Sequence, residues 1–226
     1  EIKDILIVLG YNEDNSRKYI NELSKTLGSL NIRVTNNVDY AITGTLKSLL
    51  IGLNQISNVD EDVLIIEGDV VCEDNILQNL AKCTKSILAV DSTSKLGDEE
   101  MKYSITEYDI ILNISKDLPV EDAQGEYTGM LRLSSRDIQT FIDHGDAIYK
   151  NDMLAFYESV IDKGFVKFNF MDVAPNKWTE VDFPLEYKKA RQIFSGEEKL
   201  SIDYTLFEET NHSPSLFSLI KDPDIK

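Results

Sequence analysis

The stretch from Val63 to Val70, with the sequence VLIIEGDV, decides the fold. Its apolar half is typical of a strand that is buried on both faces of a parallel sheet. The run ends in Glu67 and Asp69, which flank a glycine. Because ligand sites of α/β proteins gather at the carboxyl ends of such strands, the stretch predicts a buried strand with a candidate site at its end.

Apolar runs and helical patterns alternate on both sides of this strand. Ile5–Gly10 and Ser86–Val90 are further runs of the buried-strand type, and Asn31–Thr35 is a shorter β-rich run. Between them, Asn15–Leu27 and Thr43–Ile56 space their apolar residues as amphipathic helices do. Strands that alternate with helices predict an α/β fold with right-handed crossovers.

The second half of the chain is more mixed. We expect strands at Lys102–Ile105, Ile110–Ile114, Tyr127–Leu133, Val166–Met171 and Thr179–Phe183. We expect helices at Asp74–Ala81, Ser135–His144, Asp152–Lys163 and Leu185–Phe194. The periodicity then fades, so we divide the chain into one domain at 1–195 and a C-terminal arm or linker at 196–226.

Composition and charge narrow the functional classes. The chain has 226 residues, the size of one α/β domain, and 40 acidic against 23 basic residues give a net charge of −17. Such a surface repels nucleic-acid phosphates and anionic membranes, so we expect neither as a partner. The two cysteines fit no disulfide framework or zinc spacing, and we see no transmembrane or signal segment. We therefore expect a cytoplasmic protein.

Two acidic positions are candidate metal ligands. Asp69 follows the buried strand, and Asp182 follows a short β segment that begins at Trp178. Carboxylate oxygens are the ligands that Mg²⁺ prefers. Each residue, taken alone, also fits the role of a cap on the helix that follows it, and the motifs leave both interpretations open.

Three further features have equally open interpretations. Thr43-Gly44-Thr45 lies at a helix N-terminus, which either binds a polar ligand or is simply capped. Gly125–Gly129 brackets Glu126 and indicates either close approach of a ligand or a hairpin turn. Lys102 and Lys116 are candidate phosphate contacts or, singly, solvated surface lysines.

Taken in order, these motifs form a familiar series. The pieces are Ile5–Tyr11, Asn37–Leu49, Ile65–Val70, Ala89–Asp91, Gly97–Lys102, Ile114–Lys116, Gly125–Gly129 and Trp178–Phe194. Over residues 1–195 the chain resembles the nucleoside-triphosphate transferase family with a sugar-nucleotidyltransferase-like fold. In particular it resembles the branch of phosphocholine and phosphonate cytidylyltransferases. The resemblance implies a Rossmann-like three-layer sandwich with a mixed, mainly parallel sheet.

The resemblance also implies an activity. The family transfers a nucleotidyl group from a nucleoside triphosphate, here CTP, to a phosphate or phosphonate oxygen of a small acceptor such as phosphocholine or 2-aminoethylphosphonate, and releases pyrophosphate. By similarity, Asp69 and Asp182 hold the catalytic Mg²⁺, with Lys102 as a third catalytic residue. Gly44 and Thr45 lie against the nucleobase and ribose.

The remaining implied positions face the acceptor. By similarity they are Asp91, Lys102, Lys116 and Glu126, with Tyr127 or Trp178 turned towards a cationic amine or quaternary ammonium. An aromatic face attracts such a cation.

One family motif is missing from this sequence. The family begins with a strand and a glycine-rich loop, G-x-G-x-R followed by Pro-Lys, whose backbone N–H groups hold the triphosphate. One expectation is that this loop precedes Glu1 in a longer enzyme with further domains. The other is that the loop has been lost. Two alternatives therefore stay open: a non-catalytic binding domain on the same fold, and a sugar-1-phosphate nucleotidyltransferase.

Overall fold

The computed structural model describes residues 2–28, 30–56 and 60–195, and these ranges contain ten strands and six α-helices. The strands are β1 (Asp4–Leu9), β2 (Asn31–Asn36), β3 (Val63–Ile66), β4 (Val70–Cys72), β5 (Ile87–Asp91), β6 (Lys102–Ile105), β7 (Ile111–Ser115), β8 (Gly125–Leu133), β9 (Asn169–Asp172) and β10 (Trp178–Glu180). The helices are α1 (Glu13–Ser24), α2 (Thr45–Ile56), α3 (Asp74–Lys82), α4 (Ser135–Asn151), α5 (Glu158–Asp162) and α6 (Pro184–Ser195). The predicted arm at 196–226 lies outside the described residues.

Six of the described strands form the central sheet, in the order β7-β6-β8-β5-β9 with β3 also paired to β8. Strand β8 is antiparallel to β3, β5 and β6, whereas β9 is parallel to β5 and β7 is antiparallel to β6. Four strands, β3, β5, β6 and β9, therefore share one direction, and β7 and β8 oppose them. The predicted α/β class with a mixed, mainly parallel sheet is confirmed.

The sheet carries an apolar layer on each face. In β5, Leu88 packs in one cluster with Leu50 of α2 and Phe141 of α4. Its neighbour Ala89 packs in a second cluster with Leu80 of α3. Because successive side chains of a strand point to opposite faces, α2 and α4 lie on one side of the sheet and α3 on the other. This arrangement gives the expected three layers.

Strands β1 and β2 form a separate parallel pair. Helix α2 connects this pair to the core, since a Cβ at Gly52 would lie 3.3 Å from Val8 of β1 and one at Gly145 of α4 would lie 2.9 Å from Leu50. In the described ranges β1 pairs only with β2, and its apolar residues are half-buried. The expectation that Ile5–Gly10 is buried on both faces is wrong for this reason.

The predicted strand from Val63 to Val70 is two strands in the structure. Strand β3 ends at Ile66, and after a turn β4 begins at Val70 and pairs with β10 instead of β8. Residue Ile66 is 42% exposed, so the end of β3 emerges from the core just before the carboxylates.

The predicted helix over Asp152–Lys163 is largely absent, and only α5 is helical there. The carbonyls of Met153 and Ala155 instead accept hydrogen bonds from the N–H groups of Gly44 (2.9 Å) and Leu46 (3.3 Å). Since free N–H groups at a helix start need partners, these carbonyls accept hydrogen bonds from the N-terminus of α2 and residues 153–155 form no helix of their own.

Two findings bear on other expectations. Cys72 and Cys83 are both free thiols. A search of the helices in the described ranges finds none with the length and apolar character that crossing a bilayer requires.

Gly44 should be essential for stability, because a Cβ at this position would lie 2.3 Å from the carbonyl oxygens of both Leu154 and Ala155. We expect Gly44→Ala to lower the free energy of unfolding by about 1–3 kcal/mol in urea denaturation, the usual range for overpacking. Gly68→Ala is the matched control, since nothing lies within 4 Å of its added methyl. Equal stabilities of the two variants would contradict this packing.

Candidate active site

Pairing of β4 with β10 brings the two predicted metal ligands together. In this antiparallel pair Val70 is opposite Glu180, and just beyond it the N–H of Val181 donates to the carbonyl of Asp69 at 3.0 Å. Asp182 is close enough to Asp69 for its negative charge to raise the pKa of the Asp69 carboxyl. The chain thus places two carboxylates from distant segments at one point.

The burial and hydrogen bonding of Asp69 are typical of a metal-ligand position. Its Oδ1 atom is buried and has no hydrogen-bond partner in the structure. Burial raises the pKa of Asp69, and the nearby Asp182 raises it further. A cation at this point would supply both the missing partner of Oδ1 and the missing positive charge.

Four more carboxylates surround this pair, Glu67, Glu126, Glu158 and Glu180, and together the six form what we call the acidic cluster. Burial and repulsion by Glu67 raise the pKa of Glu180 to about 7. Burial likewise raises the pKa of Glu126 and of Glu67. Two ion pairs among the described residues, Lys116–Glu99 and Arg132–Asp62, lie outside the cluster.

A hydrogen-bonded chain leads from the cluster into the core. The Tyr157 hydroxyl donates to Glu67 Oε1 at 2.5 Å, and the hydroxyls of Tyr157 and Tyr127 lie 2.9 Å apart. The next residue, Glu158, is only 6% exposed, and its Oε2 atom has no partner. Burial and repulsion by Glu67 raise the pKa of Glu158 to about 8.

The donor set fits one hard divalent cation shared with a phosphate. Within the described ranges, no group of three or more His, Cys, Asp or Glu side chains is arranged to hold a metal by itself. Mg²⁺ commonly takes only one or two protein carboxylates and completes its shell with water and substrate phosphates. Asp69 and Asp182, with Asp69 Oδ1 left without a partner, match that pattern.

The predicted acceptor residues adjoin each other across three strands. Glu126 of β8 is in register with Asp91 of β5 on one side and with Lys102 of β6 on the other. The indole Nε1 of Trp178 donates to Asp91 Oδ2 at 2.9 Å. Burial tends to raise the pKa of Asp91, but hydrogen bonds from Thr93 and Trp178 hold it below its ordinary value.

A groove of about 420 Å³ opens beside these residues. It is lined by Asp91, Asn176, Lys177, Trp178, Gln192 and Ile193. Trp178 and Asp91 are therefore accessible to a small ligand from this side.

Two predicted roles need correction. Lys102 is 1% exposed, and its ammonium donates to the carbonyls of Gly97 (2.9 Å) and Glu100 (3.2 Å), so it holds a loop rather than an open phosphate site. Tyr127 is 2% exposed and its hydroxyl is paired with Tyr157, so its ring offers no open face to a cation. Lys116 is half-exposed, and its Nζ atom lies 3.7 Å from Glu99 Oε2. Its positive charge also lowers the pKa of Glu158.

The segment Thr43-Gly44-Thr45 lies against the same region. The Thr45 hydroxyl accepts a hydrogen bond from the N–H of Tyr157 at 3.3 Å, and Gly44 packs on the backbone just before it. Contact of Gly44 and Thr45 with a nucleotide stays a prediction. The structure adds that they are connected through Tyr157 to Glu67, two residues from Asp69.

Sequence reasoning missed Tyr157, Glu158 and Glu180 as site residues. Glu158 lies between apolar positions of a predicted helix, and that placement was the available signal. Glu180 is two residues before Asp182, the spacing that puts both on one face of a strand.

Comparisons with known proteins agree with this fold. The model of a family described as a domain of unknown function (DUF6564) matches residues 1–112. No curated protein matches the chain.

Several solved structures resemble the chain in fold. The CTP:phosphocholine cytidylyltransferase of Streptococcus pneumoniae matches with a TM-score of 0.61 and 15% identity, over 84% of this chain and 78% of that one. A nucleoside-diphosphate-sugar pyrophosphorylase of Vibrio cholerae RC9 also matches with a TM-score of 0.61. The two chains are 14% identical, and the match covers 83% of this chain and 80% of that one. A UDP-glucose pyrophosphorylase in complex with UDP-glucose matches with a TM-score of 0.56 and 14% identity, over 86% of this chain and 81% of that one. The chain therefore has the fold of these enzymes.

Protonation of Glu158 should make stability depend on pH. Its pKa rises from 4.5 to about 8 on folding, so the native state holds a proton that the unfolded chain releases, and stability falls as the pH rises through this window. The charges that face Glu158 are Glu67, Glu180 and Lys116. Glu158→Gln cannot ionise, so its free energy of unfolding should fall less between about pH 5 and about pH 8, by up to roughly 1.4 kcal/mol per pH unit.

Urea denaturation across this pH range is the measurement. Glu107→Gln, at an exposed turn, is the matched control and should keep the wild-type slope. Parallel pH profiles for Glu158→Gln and the wild type would show that Glu158 is not protonated on folding.

Proposed function

We propose that the chain is the core of a Mg²⁺-dependent nucleotidyltransferase that transfers a cytidylyl group from CTP to a small phosphate or phosphonate acceptor. The observation that carries the proposal is the Asp69–Asp182 pair with the unpartnered Asp69 Oδ1. The fold shared with a cytidylyltransferase and two sugar pyrophosphorylases supports it. Placement of the pair near the end of β3 agrees with where α/β proteins bind ligands.

The chemistry asks little of the protein beyond position and charge. An anionic oxygen of the acceptor forms a bond to the α-phosphorus, and the bond from that phosphorus to the bridging oxygen breaks to release pyrophosphate. Because the acceptor oxygen is already an anion, neither a protein nucleophile nor a general base is required. A bound Mg²⁺ supplies neutralising charge for the phosphoryl oxygens, and Asp69 and Asp182 would hold it.

Other residues have supporting roles in this proposal. Gly44 and Thr45, at the start of α2, contact the nucleoside, and Tyr157 fixes their position relative to Glu67. Asp91, Glu126 and Trp178 border the acceptor, next to the open groove. Lys116, which is half-exposed, is a candidate cation for the acceptor phosphate.

Titration calorimetry with CTP tests the proposal, first with Mg²⁺ and then with the metal removed. We expect binding only with the metal, and at least a tenfold loss of affinity in Asp69→Ala and Asp182→Asn, because each variant removes one of two metal ligands. Glu107→Gln, with the same loss of one negative charge at an exposed position, should bind as the wild type does.

The opposite result would favour the non-catalytic alternative. If the chain binds none of CTP, ATP, GTP and UTP at millimolar concentration, it is a binding domain on this fold. If it binds UTP or ATP in preference to CTP and accepts a sugar-1-phosphate, the sugar-nucleotide alternative replaces the cytidylyl one.

A further inference from the structure

A large apolar surface lies beside the start of α2. Residues 153–157, which lie against the first turn of this helix, alternate between buried and exposed side chains. Ala155 and Tyr157 are buried in the core, whereas Leu154 and Phe156 are more than half-exposed. The segment is thus anchored by one set of side chains and presents large apolar groups with the other.

The chain just before α2 continues this surface. The N–H of Gly44 donates to the carbonyl of Met153 at 2.9 Å, which brings Ile42, two residues earlier, close to the first segment. The ring of Tyr40 meets that of Tyr11 edge to face, with 6.2 Å between the centroids. We call the whole surface the apolar face. Its members are each between 42% and 81% exposed in the structure, and they are Tyr11, Val38, Tyr40, Ile42, Met153, Leu154 and Phe156.

The apolar face has the area of one side of a stable protein interface. An aromatic side chain carries about 150–250 Å², so seven large apolar side chains that are a little more than half-exposed offer roughly 800 Å². The largest apolar patch on a typical monomer is about 300–600 Å². Each partner in an interface of standard size buries about 800 Å², and tyrosine, phenylalanine and methionine are enriched there.

One side of the apolar face is acidic. Val38 and Tyr40 line a hollow of about 340 Å³, and the same hollow is lined by Glu13 and Asp14 in the first turn of α1. It lies at the carboxyl ends of the parallel strands β1 and β2. Apolar and acidic groups therefore meet in this hollow, which fits an apolar side chain that arrives with a basic neighbour.

The opposite side of the apolar face is basic. Helix α2 separates the two sides, since its Ser48 hydroxyl accepts a hydrogen bond from Asn37 of the hollow at 3.1 Å, whereas Lys47 lies 4.7 Å over the ring of Tyr149 in α4. Lys150 is exposed in the last turn of α4, just before the segment 153–157.

One acidic residue lies among these lysines. The Asp152 carboxylate accepts a hydrogen bond from the N–H of Leu154 at 2.9 Å and so shapes the segment itself. With two lysines beside this single carboxylate, the side of the apolar face at α4 keeps a positive balance.

We propose that a second copy of this chain covers the apolar face, in a two-fold dimer in which residues 153–156 of each copy pack into the hollow of the other. In a two-fold interface every contact occurs twice with the roles of the copies exchanged, so a surface with an acidic and a basic side is complementary to itself. Lys47 and Lys150 of one copy then lie beside Glu13 and Asp14 of the other, and these charges set the orientation. Because the net charge of −17 opposes association, the apolar side chains supply the attraction.

Sedimentation velocity of the whole chain without nucleotide tests the dimer. Interfaces of this size have micromolar or lower dissociation constants, so at about 50 µM we expect a species of twice the 25.6 kDa of one chain. Leu154→Asp should raise the dissociation constant at least tenfold, because it places an unpaired charge in the interface. Tyr108→Asp, at an exposed turn between β6 and β7, is the matched control and should leave the dissociation constant unchanged. Circular dichroism establishes that each variant is folded.

Charge reversal tests the two-fold arrangement. Glu13→Lys and Lys150→Glu should each raise the dissociation constant threefold or more, since each creates a like-charge contact that occurs twice in the dimer. Both substitutions in one chain exchange the charges of the two sides. The double variant should therefore recover a dissociation constant within about twofold of the wild type.

The outcomes decide each part of the proposal. A single-chain mass at every concentration would overturn it, and the apolar face would then belong to another protein or to residues 196–226. A dimer that Leu154→Asp leaves intact would overturn the assigned surface, and a double charge reversal that fails to recover association would overturn the two-fold arrangement. CTP binding is measured separately, so failure of the dimer and failure of the proposed function are distinguishable.

Discussion

The three-residue pairing of β4 with β10 is the contact on which the site depends. It joins the chain after β3 to the segment before α6, and the hydrogen bond from the Val181 N–H to the Asp69 carbonyl extends it by one step. Without this pairing, Asp69 and Asp182 would belong to unconnected parts of the molecule. Because both strands are short, much of what holds them must come from the packing of Trp178 and Cys72 against the layer formed by α3.

Repulsion among the carboxylates works against this arrangement. The pKa values of Glu67, Asp69, Glu158 and Glu180 are all raised, with burial as the largest cause. A group that folding makes harder to ionise lowers the stability of the native state at neutral pH. Such a concentration of shifted acids in a cleft is typical of functional sites, where the ligand supplies the charge that the protein leaves out. The acidic cluster and the negative net charge thus agree with a site that is neutralised by cations.

Much of the fold could be predicted from local patterns, because its strands are short apolar runs. The apolar runs Val63–Val70 and Ser86–Val90 indicate the strands β3 and β5. The structure departs from the patterns where tertiary contacts override them. Residues 152–163 have helical spacing, but the carbonyls of Met153 and Ala155 bond to the start of α2. The apolar run of β1 suggests full burial, but its neighbours in the described ranges cover it only in part.

The site was predictable only where a motif marked it. Asp69 and Asp182 stand out because each follows a β segment, whereas Glu158 becomes notable only when the fold sets it beside Glu67. Lys102 and Tyr127 had plausible side chains for a site, and only the structure shows that both are buried and occupied by other partners. Burial and hydrogen bonding of a side chain depend on the whole fold, so spacing alone cannot supply them.

The central claim is that Asp69 and Asp182 together hold a divalent cation against the phosphates of a nucleotide. The most direct test is a crystal structure with CTP and Mn²⁺ in place of Mg²⁺, in which anomalous scattering locates the metal. The account predicts one metal ion in direct contact with both carboxylates and with an α-phosphate oxygen, at about 2 Å as for Mg²⁺. A metal bound elsewhere, or nucleotide bound with both carboxylates free of metal, would contradict it.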